Sequence, residues 1–446
     1  MVGAFLAGAA AMALLVISGL LLALSVFRRG ALTFECPGFE AHVIDGDPGR
    51  LIRDVQHDAQ VPQMCRADDP LACSIRDAVK GGDAARQGNV LLLSGGGQWG
   101  AFGAGLFCEL SKNSGSDMAL PGVAVITGIS TGSLQTMMLM VALDDSQDAE
   151  IRRFALGQLA WGYSPEKESD VVAHSGLFKV PLFGSAAGTA PLRQRILEAL
   201  RPDGDNRLIE AIAAAKIAGY AGFVEADSGL FKYADIGALA RTAASPEQAA
   251  VRLAAVTMAS SAMPVFNQQL RVAGSNGKAL TYYDGGTRRS VFFDRAMTLF
   301  DHDVREAIAK TKSLAPRDFA EAYEQTAPTV YVVRNGPTMR KPEPELNSKS
   351  GPLSNGQRGY DLLVNESEIG AIAALRLYNP YGRIMLTSAD QYDTFPHTEG
   401  ENFKDDEMFK PAFMTCLREL GRHKANREGG PWWPLGSIDG GVGQGV

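Results

Sequence analysis

The stretch "NVLLLSGGGQWGAFGAG", residues 89–105, carries a short apolar run into three consecutive glycines and then into a segment with helical character. A continuous apolar run of this length fits a strand buried on both faces. A second such run, "VAVIT" at 123–127, ends in "GISTGS" and passes into the apolar "LQTMMLMVAL". That last segment reads as a buried helix. Strand, helix, strand, helix at this spacing is a βαβα unit, so the chain is expected to be α/β, with a parallel sheet between two helical layers. Further strands are expected at "AGFVEAD" near 221, "RLAAVT" near 252, "LTYYD" near 280 and "TVYVVR" near 329. Helices are expected over 148–161, 191–200 and 361–377. "RLIEAIAAAKIAGY" is open between helix and strand.

The glycine stretch admits two functions. Gly95, Gly97 and Gly100 satisfy G-x-G-x-x-G, the turn that cradles a dinucleotide pyrophosphate. That fold needs an acidic residue at the end of the second strand to hold the ribose. Gly128-Ile129-Ser130 stands there instead, and no Gly-Lys-Ser/Thr follows to make a P-loop. What does stand there is G-x-S-x-G (Gly128-Ile129-Ser130-Thr131-Gly132) between a strand and a helix, the setting of a nucleophile elbow. A serine capping a helix would look the same in sequence. If Ser130 is a nucleophile, the backbone N–H groups of Gly95, Gly96 and Gly97 on the neighbouring strand become an oxyanion hole.

A nucleophilic serine needs a base. His174, His302, His397 and His423 follow Ser130, and none sits in a glycine-flanked turn at a strand end. Asp284 does: "LTYYDGGTRRS" puts it after an apolar run and directly before Gly285-Gly286. A surface β-turn is the alternative for Asp-Gly-Gly.

Four motifs occur in order: Ser-Gly-Gly-Gly at 94–97, Gly-Ile-Ser-Thr-Gly at 128–132, Ala-Ser-Ser-Ala-Met-Pro at 259–264 and Asp-Gly-Gly at 284–286. Together they resemble the patatin-like phospholipases over roughly residues 89–290. The resemblance implies a central, mostly parallel sheet in a three-layer α/β/α fold and a Ser–Asp dyad without histidine. It makes Ser130 the nucleophile, Asp284 the general base and Gly95, Gly96 and Gly97 the oxyanion hole. No cofactor or metal is implied. The substrate implied is a lipid ester. "ASSAMP" is implied to be a structural element ahead of the Asp284 strand. The chain departs from the family in two places. Gln98-Trp99 stands where a cation is usual, so Trp99 is expected either against an acyl chain or in the core. Thr287-Arg288-Arg289 follows Asp-Gly-Gly where an asparagine is common, and the paired arginines would meet a lipid phosphate or simply solvent.

The rest of the 446 residues bounds the answer. A net charge of −7 offers no basic field for nucleic acid. Residues 2–27 contain no charged side chain and Arg28-Arg29 follow. About 20 apolar residues cross a bilayer, and flanking arginines stay on the cytoplasmic side. The N-terminus is therefore expected to be a single transmembrane anchor over 1–29, with the body cytoplasmic; an export signal is the alternative. A lead-in segment over 30–88, a catalytic domain over 89–400 and a C-terminal extension over 401–446 complete the expected organisation. The five cysteines form no zinc pattern. Cys65 and Cys73 could bridge in an exported chain, and buried free thiols are the plainer expectation. Two rivals to a membrane-anchored serine hydrolase remain at this stage. One is a histidine-containing triad; the other is a tethered, non-enzymatic binding module on the glycine loop.

Overall fold

The computed structural model describes residues 12–22, 32–43, 70–80, 89–113, 122–174, 187–264, 267, 270–273, 278–292, 329–339, 352–378, 383–395 and 409–435. Strands β1 (Leu32–Glu35) and β2 (His42–Val43) and helix α1 (Pro70–Lys80) come first. The βαβα unit follows as β3 (Asn89–Leu93), α2 (Gly100–Leu110), β4 (Val123–Ile129) and α3 (Thr131–Ala142). Next are α4 (Ala149–Gly162), the short pair β5 (Ala173–His174) and β6 (Ala187–Gly188), α5 (Ala190–Leu200) and α6 (Arg207–Ala214). Then come β7 (Ala218–Glu225), β8 (Phe231–Asp235), α7 (Ile236–Arg241) and α8 (Pro246–Ser260). The chain continues through β9 (Leu270–Ala273), β10 (Ala279–Asp284), β11 (Val330–Arg334) and α9 (Pro352–Tyr378). β12 (Ile384–Ser388), α10 (Pro411–Ala425) and β13 (Trp433–Pro434) close it.

The main sheet runs β1-β9-β10-β7-β4-β3-β11-β12-β13, with β8 also on β7 and β2 on β8. Its central strands β7, β4, β3, β11 and β12 are parallel. Both faces are covered, and side chains alternate between them. Leu91 and Leu93 enter one core beneath α2, α3 and α8, while Val90 and Leu92 enter the other beneath α1 and α9. This is why "NVLLL" is apolar throughout.

The expected mostly parallel sheet is in fact mixed. β8 and β10 run antiparallel to β7, and β10 antiparallel to β9. The turn between β7 and β8 is too short for the crossover that parallel neighbours need. The consequence matters for function. β8 occupies one edge of β7 through Tyr220–Val224, so β4 and β10 share the other. β4 climbs that edge to Ile129, opposite Gly222, and β10 descends it to Asp284, opposite Phe223. The two strands meet end to end, and the residues that leave them, Ser130 and Asp284, are brought to one point.

"RLAAVT" is not a strand; it lies inside α8. A short apolar run cannot distinguish a buried strand from a buried helix. Pro246 in the first turn and Ser245, whose hydroxyl accepts from the Gln248 amide at 3.2 Å, start a helix there instead. "RLIEAIAAAKIAGY" contains both elements, the whole of α6 and the start of β7.

The expected transmembrane helix over 1–29 is not found. Residues 12–22 are helical, with Leu15 and Leu22 exposed, but among the described residues no helix is long and apolar enough to cross a membrane. Residues 1–11 and 23–29 lie outside the described residues. Cys73 is disulfide-bonded rather than a free thiol, while Cys36, Cys108 and Cys416 are free; Cys65 lies outside the described residues. The expected Pro/Gly/Ser-rich loop at 335–359 is described only at its ends, the second of which already belongs to α9. Near the C-terminus α10 packs on α2 so closely that a Cβ on Gly105 would lie 2.1 Å from the Arg418 carbonyl oxygen.

Candidate active site

Ser130 sits between β4 and α3 with φ 53° and ψ −121°, a backbone conformation that costs a non-glycine residue of order 1–3 kcal/mol. The surrounding structure holds it there. The Ser130 amide donates to Ser260 Oγ at 2.7 Å, and that hydroxyl donates to the Gly222 carbonyl at 2.6 Å. The Ser130 carbonyl accepts from the Ser133 amide and hydroxyl. The flanking glycines are required by contact. A Cβ on Gly128 would lie 2.2 Å from the Gly132 carbonyl oxygen, and one on Gly132 would lie 2.6 Å from that of Leu93.

Asp284 is buried at the end of β10, and its amide donates to the Ala262 carbonyl at 2.9 Å. The end of α8 and the turn after it therefore fasten both Ser130 and Asp284, a specific role for the "ASSAMP" segment. Asp284 Oδ1 accepts from the Gly286 amide at 2.6 Å. Burial raises its pKa to about 6; the Gly286 amide and the nearby Ser130 hydroxyl oppose the rise, and the charge of Glu368 adds to it.

The glycine loop lies against this pair. A Cβ on Gly95 would be 3.4 Å from the Ser130 Cβ. Gly96 has φ 143° and Gly97 φ 56°, and a Cβ on Gly96 would fall 2.0 Å from the Asn335 carbonyl oxygen. Glycine is required at Gly96 on both counts. The amides of Gly95, Gly96 and Gly97 donate to no described residue. Asn335, the residue after β11, braces the loop. Its amide donates to Ser94 Oγ at 2.9 Å, and its Nδ2 to the Ser94 carbonyl at 2.9 Å and to Gln135 Oε1 at 3.0 Å. Gln135 Nε2 donates in turn to the Gly100 carbonyl at 2.8 Å.

A cavity of about 860 Å³, part of it open to solvent, reaches Ser130, Thr131 and Gly97. Leu134, Val171, Val172, Leu192, Ile196, Met263, Phe409 and Met414 supply apolar walls. Tyr163 stands inside it, its hydroxyl donating to the Thr131 carbonyl at 2.6 Å. Trp99 does not line this cavity. It is buried edge-on against Tyr392 and Phe413, with ring centroids 4.7 and 5.0 Å away, and belongs to the core. Its neighbour Gln98 accepts from the Lys410 amide at 3.3 Å.

Of the histidines after Ser130, His423 is exposed beside Phe395 and does not line the cavity; His174 lies on β5. His302 and His397 lie outside the described residues. Arg288 is tied to the Gly229 carbonyl, and the Arg289 guanidinium lies over the Phe231 ring. Sequence reading overlooked Ser260 as a contact of Ser130, and it overlooked Asn335, Gln135 and Tyr163. Asn335 alone had a visible signal, a polar residue directly after an apolar strand at the edge where α/β sheets build their sites.

Residues 91–297 match the model of the patatin-like phospholipase family. No curated protein matches the chain. Among solved structures, the crystal structure of VipD from Legionella pneumophila is similar over 78% of this chain and 68% of its own, at 11% identity and a TM-score of 0.27, too loose a match to bear on the fold. Over residues 91–297 the chain is thus similar to the patatin-like phospholipase domain.

Proposed function

We propose that this protein is a serine hydrolase of lipid esters that works through a Ser130–Asp284 dyad. The observation that carries this is the register that brings the end of β4, just before Ser130, and the buried Asp284 to one point on the edge of β7, with Ser130 and Gly97 both lining an apolar cavity. Ser130 Oγ attacks the ester carbonyl carbon, and its proton passes to Asp284. Negative charge gathers on the carbonyl oxygen, where the amides of Gly95, Gly96 and Gly97 are the donors. Collapse breaks the ester C–O bond, and the leaving alcohol takes the proton from Asp284. Water then attacks the acyl-enzyme, delivering a proton to Asp284, and Ser130 recovers it as the fatty acid leaves. The apolar walls suit an acyl chain. A histidine triad has less support, since His423 is exposed and away from the cavity.

Ser130→Ala and Asp284→Asn are each expected to abolish ester hydrolysis in folded protein, and Ser130→Ala to abolish labelling by a fluorophosphonate. Full activity in either variant overturns the dyad. Tight nucleotide binding without labelling would favour the non-enzymatic module.

The uncharged N-terminal segment supports attachment to a membrane, which would keep the site at an insoluble substrate. Arg28-Arg29 favour a cytoplasmic body, whereas the disulfide at Cys73 favours the exported arrangement, because disulfides persist in oxidising compartments. Blocking of Cys73 by a membrane-impermeant thiol reagent, tested after reduction of intact cells, separates the two.

A further inference from the structure

We infer that Arg195 is an anion subsite of the cavity, and that it receives the phosphate of a glycerophospholipid whose ester lies at Ser130; this rests on the lipid-hydrolase reading above. Arg195 is the one fully charged side chain among the described residues lining the cavity; all the others are uncharged. Two of its five N–H donors are engaged: Nε donates to the Gly162 carbonyl at 3.0 Å and Nη2 to the Trp161 carbonyl at 2.6 Å. Its guanidinium lies 4.2 Å from the Trp161 ring centroid. These contacts fix the plane of the fork at the end of α4. The other three donors meet no acceptor among the described residues. Asp170, Glu198 and Glu166 are within electrostatic reach, yet none forms an ion pair with it among the described residues. The guanidinium stays protonated, and a partly desolvated cation with open donors gains more from an anion than one in water.

Its place in the cavity selects the ligand. The Tyr163 hydroxyl bonds the Thr131 carbonyl, one residue from Ser130, while Arg195 bonds the carbonyl of Gly162, one residue from Tyr163. Ser130 and Arg195 line the same cavity and are linked through that one tyrosine. A glycerophospholipid carries an ester and a phosphate in one molecule, so a single ligand can meet both. A fatty-acid carboxylate does not fit the role, because its carboxyl carbon is the reacting atom and belongs at Ser130. A guanidinium fork matches phosphate oxygens in a bidentate geometry.

The test uses lipids without an ester, so that it reads binding whether or not the chain hydrolyses anything. A water-soluble, short-chain dialkyl-ether glycerophosphocholine and the matching dialkyl glycerol are titrated against the full chain by calorimetry. Arg195→Met is expected to weaken the phosphate lipid about tenfold or more and the neutral lipid less than about twofold, with Arg195→Lys between. Equal loss for both lipids assigns Arg195 to shaping the cavity and overturns the proposal, as does no loss for either. Inorganic phosphate binding to wild type as tightly as the ether lipid overturns the lipid assignment in favour of a free-phosphate site. Arg195→Gln, which keeps a donor for the Gly162 carbonyl, replaces Arg195→Met should that variant fail to fold. Ester hydrolysis surviving in Ser130→Ala would sink the dyad and leave this binding result intact.

Discussion

Ser260 Oγ lies 2.7 Å from the Ser130 amide nitrogen and 2.6 Å from the Gly222 carbonyl oxygen, so a single hydroxyl joins the elbow to β7. The Ser130 amide has the positive φ that raises its hydroxyl toward Asp284, and Ser260 holds that amide. Removing the hydroxyl leaves a buried donor and a buried acceptor unmet, which costs about 1–3 kcal/mol each. Ser260→Ala is therefore expected to lower the melting temperature and to reduce kcat more than KM, since the nucleophile loses its alignment while the cavity is unchanged. Steady-state kinetics on a soluble ester, beside a thermal melt, check both. Loss confined to KM would argue against the role.

On the dyad proposed above, Asp284 sets the pH profile: as the base it must be ionised, and burial raises its pKa to about 6. Activity is expected to rise with pH through about 6, above the range of an ordinary carboxylate. Stability moves the other way. A carboxyl whose pKa is raised by folding contributes stability in full below its unfolded value, near 4, and loses it as pH climbs through about 6. At neutral pH the penalty is about 3 kcal/mol. Asp284→Asn is thus expected to be inactive yet to melt higher than wild type at pH 8, with the gap closing below pH 4. Melts across that range decide it.

Trp99 replaces the family's cation with core. Its ring is edge-on to Tyr392 and Phe413, so α10 and the turn after β12 are packed through it. Trp99→Arg buries a charge without a partner and is expected to destabilise the fold severely while adding no activity. Trp99→Ala is expected to cost about 3–5 kcal/mol, as for other buried aromatics. Urea unfolding of the two variants tests the assignment; a more active Trp99→Arg would contradict it.

The legible parts of this protein were those in which one short stretch decides the outcome. "NVLLL" and "VAVIT" are apolar at every position because both faces of β3 and β4 are covered, and that alone implies the layered α/β fold. Gly128 and Gly132 appear because no Cβ fits at either, so the elbow shows in the motif. What was hidden depends on partners far along the chain. Nothing local to β10 reveals that it meets β4 end to end on one edge of β7. "RLAAVT" has the composition of a strand and the caps of a helix. Trp99 could be placed only by Tyr392 and Phe413, nearly three hundred residues away.

Asn335 is another such distant partner, and the most specific. Its side-chain amide uses both ends: Nδ2 donates to the Ser94 carbonyl and to Gln135 Oε1, and Oδ1 accepts from Gln135 Nε2 at 3.3 Å. Its own carbonyl fills the space a Cβ on Gly96 would need. The glycine loop is thus held by a pair of amides, and on the reading proposed above its N–H groups form the oxyanion hole. Donors of an oxyanion hole act on charge present only in the transition state, so mispositioning them lowers kcat and leaves KM nearly unchanged. Asn335→Ala is expected to lower kcat about tenfold or more, and Asn335→Asp to do no better, because a carboxylate cannot donate to Ser94. Gln135→Ala is expected to show the same split. The two residues act through one contact, so Asn335→Ala/Gln135→Ala should lose clearly less than the product of the single losses. Independent, multiplicative losses in that cycle would mean that the two amides do not position the glycine loop as a unit.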